Sequence, residues 1–180
     1  MRVLGLDPGS RRTGYGVVES HGNRLRCVSQ GVVAPPGGLE LAPRLLAISE
    51  RVGEVIAATG PDCVVVEQAF YHENPRSTLV LGHVRGALLV VAARAGIAVA
   101  EYSPREIKLS VVGHGGASKE QVTFMVRRLL GLRADLGTDA ADALAAAVCH
   151  LQRARLTPPA QAASLAARRL EALLAGRGKR

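Results

Sequence analysis

Tryptophan is absent from the 180 residues, and only five side chains are aromatic: Tyr15, Phe70, Tyr71, Tyr102 and Phe124. With so few rings, an exposed aromatic beside a functional group stands out as a candidate for stacking on or wedging between bases. Cysteine is scarce as well. Cys27, Cys63 and Cys149 form no Cys-x-x-Cys pair, and each lies in an apolar stretch. That excludes a disulfide framework or a thiolate zinc site and predicts reduced core residues, as in a cytoplasmic protein. The longest apolar run, Leu79 to Ala93, is interrupted by His83 and Arg85, which argues against a membrane span. The first residues run straight into an apolar strand, with no signal-peptide pattern. His72, His83, His114 and His150 have no metal-ligand spacing. A Gly-x-x-x-x-Gly-Lys-Ser/Thr loop is missing too, so a P-loop nucleotide site is excluded.

What is present is ordinary for a globular domain: 48% hydrophobic and 21% charged residues, in a length that suits one domain with a real core. The net charge of +8 is unevenly placed. Residues 151–180 hold seven Lys/Arg against the single acid Glu171, so most of the excess belongs to the end of the chain. The chain divides into a domain over 1–155 and a basic tail over 156–180, entered through Pro158-Pro159. That tail is either a phosphate-binding segment or a solvated end. There is no internal repeat.

Residues 2–6 are apolar and end at Asp7-Pro8-Gly9, the pattern of a buried strand. Strands over 13–19 and 25–33 follow, punctuated by glycines, and predict an antiparallel meander with the first. Leu41, Leu45, Ile48, Val52, Val55 and Ile56 recur at helical spacing before Gly60-Pro61. A strand over 62–67, a helix over 77–95 and a strand over 97–102 come next. Helices over 104–112, 118–131 and 138–155 close the domain. Ser118 with Gln121 has capping-box spacing, and Thr138 is placed to cap the last helix. The order predicts an α/β fold: a mixed five-stranded sheet, its first three strands antiparallel, with helices on both faces.

Four acids stand in apolar surroundings. Asp7 ends Val3-Leu4-Gly5-Leu6, Glu67 ends Cys63-Val64-Val65-Val66, and Asp139 and Asp142 lie three apart in an alanine-rich helix. Each alone has an ordinary role, as turn former, strand-end ion pair or first-turn helix acid. Together they read differently, because unpaired buried carboxylates cost several kcal/mol and are normally paired or bound to a cation. Strand carboxyl ends are where such sheets collect functional groups. An oxygen-only set favours Mg²⁺, or Mn²⁺, and two such ions about 3.5–4 Å apart suit in-line displacement at phosphorus. The expectation is metal-dependent phosphodiester chemistry at Asp7, Glu67, Asp139 and Asp142.

Other residues fit around this set. The glycines of Asp7-Pro8-Gly9-Ser10-Arg11-Arg12-Thr13-Gly14-Tyr15-Gly16 are expected to let a phosphate backbone approach the sheet, or to be ordinary turn glycines. Lys108 and Lys119 flank a Gly-rich loop that opens a helix, and are candidates for phosphate contact and charge neutralisation. Phe70, three residues beyond Glu67, is a candidate base wedge, and Arg76 a candidate DNA contact beside it.

Asp7-Pro8-Gly9-Ser10, Thr13-Gly14-Tyr15-Gly16, Glu67-Gln68-x-Phe70, Gly113-x-Gly115-x-Ala117-x-Lys119 and Asp139-Ala140-Ala141-Asp142-Ala143 resemble, in order and spacing, the RuvC family of bacterial Holliday-junction resolvases. The resemblance covers residues 1 to about 155. It implies a ribonuclease H-like fold, a homodimer and symmetric Mg²⁺-dependent nicking of opposed strands at a four-way DNA junction. It also implies cooperation with the RuvA–RuvB motor. It assigns the metal to Asp7, Glu67, Asp139 and Asp142, junction opening to Phe70, and catalytic or DNA-contacting roles to Lys108 and Lys119. Nothing transfers to the tail. The helix over 77–95, with Val80, Leu81, Val84, Leu88 and Val91 and with Gly82 and Gly86, is the expected dimer interface, its rival role being to cover the sheet. Alternatives to a junction resolvase are a nuclease for structured RNA, an actin- or sugar-kinase-like ATPase, for which the length leaves no second lobe, and a non-catalytic DNA binder, which leaves the acids unexplained.

Overall fold

Val3, Leu4 and Leu6 are closed to solvent because the first strand, β1 (Arg2–Asp7), runs through the middle of the sheet. The computed structural model describes residues 1–68 and 74–156. β1 pairs antiparallel with β2 (Thr13–His21), which pairs antiparallel with β3 (Arg24–Val33). On its other side β1 pairs parallel with β4 (Cys63–Glu67), and β4 pairs parallel with β5 (Ala98–Tyr102). The strand order is β3-β2-β1-β4-β5, the mixed sheet that the element order predicts. Asp7 and Glu67 both lie at carboxyl ends of neighbouring parallel strands.

Both sheet faces are covered. Leu4, Leu6, Val64 and Val66 pack against α1 (Leu41–Thr59) and α2 (Pro75–Arg94), whose apolar stripes Ile48, Val52, Ile56 and Val84, Leu88, Ala92 are buried. Val3, Cys63 and Val65, alternating with that set, face α3 (Pro104–Val112), α4 (Lys119–Leu130) and α5 (Thr138–Leu156). Strand pleating therefore puts Asp7 and Glu67 on the α5 side, in phase with Val3 and Val65.

Local capping explains where the helices start. Ser118 and Gln121 form the expected capping box. Ser103 and Glu106 form a second at α3, and Asn74 caps α2. Thr138 is the first helical residue rather than the cap; the carbonyl of Gly137 accepts from the N–H of Ala141. Cys27, Cys63 and Cys149 are free thiols, the last two buried.

Two expectations about packing are corrected. Val84 and Leu88 are fully buried against the sheet and so are closed to a partner. Gly14 and Gly16 do not open the sheet to DNA. A β-carbon at Gly14 would collide with the backbone of Asp139, one at Gly16 with Leu144, and one at Gly5 with the carbonyl of Ala143. These glycines, with Ala140, Ala143 and Ala147 opposite, seat α5 directly on β1 and β2. Gly5→Ala is therefore expected to lower stability by about 1–3 kcal/mol through overpacking. Gly53→Ala, in α1 with nothing within 4 Å, should raise it by up to about 1 kcal/mol. Urea unfolding midpoints of the two variants check the contrast.

Candidate active site

The seating of α5 decides the site. Asp139 is in its first turn and Asp142 one turn on, and the carbonyl of Asp139 lies against Gly14, the register partner of Asp7. The two helix acids thus reach the edge where β1 and β4 end. Burial is the main reason that Asp7 is pushed up to about 7, with the charges of Glu67, Asp142 and Asp139 adding to it and Lys119 opposing. Glu67 is likewise pushed up to about 7, by burial first and Asp142 next, against the pull of Lys119 and Lys108. The four acids therefore form one electrostatic cluster, assembled from three separate segments.

The cations are part of that cluster. Lys119 Nζ donates to Asp142 Oδ2 at 3.2 Å, and its pKa is raised chiefly by Asp142, with Asp7 and Glu67 contributing. It opens α4, where the sequence places it at the end of the Gly-rich loop. Lys108, on α3, acts on Glu67. Arg12, in the turn between β1 and β2, is paired with Asp139 at 3.0 Å. Its place beside the acids was not singled out from sequence, although it lies five residues beyond Asp7 in the same motif. Arg76 is in the first turn of α2, exposed, and its charge is not among those acting on Asp7 or Glu67. Phe70 lies outside the described residues, as does the tail from residue 157.

Among the described residues no three His, Cys, Asp or Glu side chains are grouped tightly enough to hold an ion. Asp139 and Asp142 are turned to Arg12 and Lys119 instead. The donor chemistry nevertheless fits a hard divalent cation. All four donors are carboxylates, and two of them are buried at the cost of carrying their charge near neutral pH. Lys119 and Lys108 offset only part of the charge on Asp7 and Glu67, since both acids stay raised to about 7. A cation there would restore both carboxylates to the ionised state.

A second cluster braces α3. Tyr102, at the end of β5, donates or accepts through its hydroxyl at 2.9 Å from Nδ1 of His150 on α5, according to the His tautomer. Arg153 lies over the Tyr102 ring and pairs with Glu106 at 2.9 Å. Burial holds His150 below the ordinary histidine value, so its neutral form is favoured. Glu106 is also the third helical residue of α3 and completes its capping box with Ser103, so this network ties the helix that bears Lys108 to the helix that bears Asp139 and Asp142.

Comparison with known proteins identifies the family to which this fold belongs. The family model for the crossover junction endodeoxyribonuclease RuvC matches residues 3–150. Crossover junction endodeoxyribonucleases RuvC of Hyphomonas neptunium and Bordetella avium are 51% and 50% identical. Each match covers 83% of this chain, with 89% of the first relative and 83% of the second. The structure of Thermus thermophilus RuvC in complex with Holliday junction substrate is similar at a TM-score of 0.82 and 37% identity, covering 87% of this chain and 96% of that one. The yeast mitochondrial Holliday junction resolvase Ydc2, at 16% identity and a TM-score of 0.63 over 83% of this chain and 77% of that one, shares the fold. With its ribonuclease H-like sheet and this match over most of its length, the chain belongs to the RuvC family of crossover junction endodeoxyribonucleases.

Proposed function

We propose that the protein is a structure-selective endonuclease that resolves four-way DNA junctions by metal-dependent nicking of two opposed strands, in recombination and repair. The observation that carries this reading is the convergence of Asp7, Glu67, Asp139 and Asp142 at one sheet edge in a member of this family. The match to a RuvC bound to Holliday junction substrate supports the substrate class.

Asp7, Glu67, Asp139 and Asp142 would hold Mg²⁺, or Mn²⁺, as two ions. Bound there, the ions supply Lewis-acid charge for in-line displacement at phosphorus. The chain's own groups do the rest. Asp7 and Glu67 at the strand ends form a fixed floor on rigid elements. Lys119 and Lys108 offer point charges for the phosphate and for charge developing on it. Phe70 is assigned to wedging the junction open and Arg76 to contacting its backbone. The basic segment 156–180 remains a phosphate-binding candidate beyond the nuclease domain.

Two opposed cuts need two sites related by a two-fold axis, which a homodimer supplies. The corrected interface is the outer face of α2. Leu79 and Val90 there are 64% and 56% exposed, and Gly82 and Gly86 have nothing within 4 Å. Among the described residues α2 is the one helix long and apolar enough to cross a membrane, but Val84, Leu88 and Ala92 anchor it on the sheet. Its exposed apolar side fits a second copy. The RuvA–RuvB motor as partner and a cytoplasmic setting follow from the family reading.

Asp7→Asn should reduce cleavage of a synthetic junction by at least about a thousandfold, on the scale of removing a principal electrostatic stabiliser, while junction affinity stays within a few-fold. Mg²⁺-dependent cleavage at the wild-type rate would contradict its role.

Stability in EDTA should reveal the same cluster. The folded values of about 7 for Asp7 and Glu67 exceed the ordinary 3.8 and 4.5, so folding takes up protons between about pH 4 and 7. Their contribution is thus fully present at low pH and lost as pH rises through 7. His150, held low, contributes in the opposite sense. Comparing wild type with Asp7→Asn by urea unfolding at pH 5 and 8 separates them. The variant should show the smaller loss at pH 8, and Mg²⁺ should stabilise wild type alone. Leu79→Glu with Val90→Glu should convert the dimer to a folded monomer at micromolar concentration in sedimentation, whereas a persistent dimer would remove α2 from the interface.

A further inference from the structure

Arg12 is the one cation of the cluster without a role so far. It sits in the tight turn between β1 and β2, where a β-carbon at Gly9 would collide with its carbonyl. The turn is tethered from outside: Arg44 on α1 donates to the carbonyl of Ser10 at 3.1 Å and to that of Leu39 at 2.7 Å. Arg12 is therefore presented by an anchored backbone, while its side chain is 63% exposed. The guanidinium meets Asp139 through Nε at 3.0 Å. Lys119 and Asp142 make the matching pair on the next turn of α5.

A carboxylate cannot serve a guanidinium and a divalent ion with the same lone pairs. Taking Asp139 as an ion ligand requires Arg12 to leave it. Half-open ion pairs of this kind are weak and exchange readily. Once displaced, the guanidinium remains at the rim of the acid edge, and its planar fork suits phosphate as well as carboxylate. We infer that Arg12 is an exchangeable counter-ion: it neutralises Asp139 when metal is absent, and contacts a phosphate of the bound DNA once metal holds Asp139. This rests on the metal-dependent reading above and assigns a residue within it. The exchange keeps a highly charged edge neutral in the free protein and turns the same cation to the substrate on loading.

The test uses the full chain, wild type against Arg12→Ala and Arg12→Lys. In thermal unfolding without DNA, the Mg²⁺ concentration giving half-maximal stabilisation should fall about two- to fivefold in Arg12→Ala, because the ion no longer competes with the pair. With saturating Mg²⁺ and a synthetic four-way junction, a plot of log KM against log salt should be shallower by about 0.9, one phosphate contact, with kcat within threefold. Arg12→Lys should restore the slope. An unchanged Mg²⁺ midpoint would overturn the exchange, and an unchanged slope would overturn the phosphate contact. If wild type gains no stability from Mg²⁺ and cleaves equally in EDTA, the metal reading fails, and this role with it. If wild type responds and Arg12→Ala responds identically, only the role of Arg12 fails.

Discussion

The acid cluster exists because α5 lies unusually close to β1 and β2. Gly5, Gly14 and Gly16 remove the side chains that would hold the helix away, and alanines on the helix face meet them. Side chains at those positions would push α5 outward, carrying Asp139 and Asp142 away from Asp7 and Glu67 and weakening the interaction of their charges. Close seating has an electrostatic consequence. It drives desolvation and like-charge repulsion into the strand-end acids, lifting both to about 7. Stability is thus surrendered at this edge, while the hydrophobic layers on both faces of the sheet hold the fold together.

The surrounding groups make sense as responses to that charge. Arg12 and Lys119 sit on the two helix acids, and Lys108 acts on Glu67. Their positions are set from different elements: a tethered turn, the first residue of α4, and α3. The capping box of Ser103 and Glu106, with Arg153, Tyr102 and His150, fixes α3 against α5. The face of α2 turned away from the sheet has a different character: Leu79 and Val90 there are exposed and apolar, in contrast to the charged edge.

Much of this was legible in sequence. Strand β1 and strand β4 declared themselves as apolar runs ending in acids, and the three-residue spacing of Asp139 and Asp142 put them on one helix face. The five strands and five helices fall within about two residues of their expected bounds. What sequence could not show was direction in space. The apolar stripe of α2 contains residues for both the sheet and the outer face, so Val84 and Leu88 could not be told from Leu79 and Val90. The glycines of the first hairpin signalled a close approach, but not that a helix rather than DNA occupies it. Arg12 was hidden because its partner is 127 residues away in sequence, and charge pairing over that span depends on the fold. Thr138 was expected to cap α5, yet the helix starts on it.

The most direct test of the account is cleavage of a synthetic four-way junction beside a linear duplex of the same sequence, each with Mg²⁺ and with EDTA. Paired nicks in opposed strands of the junction alone, present only with Mg²⁺, are the predicted result. Equal cutting of duplex and junction, or cutting that survives EDTA, would contradict it.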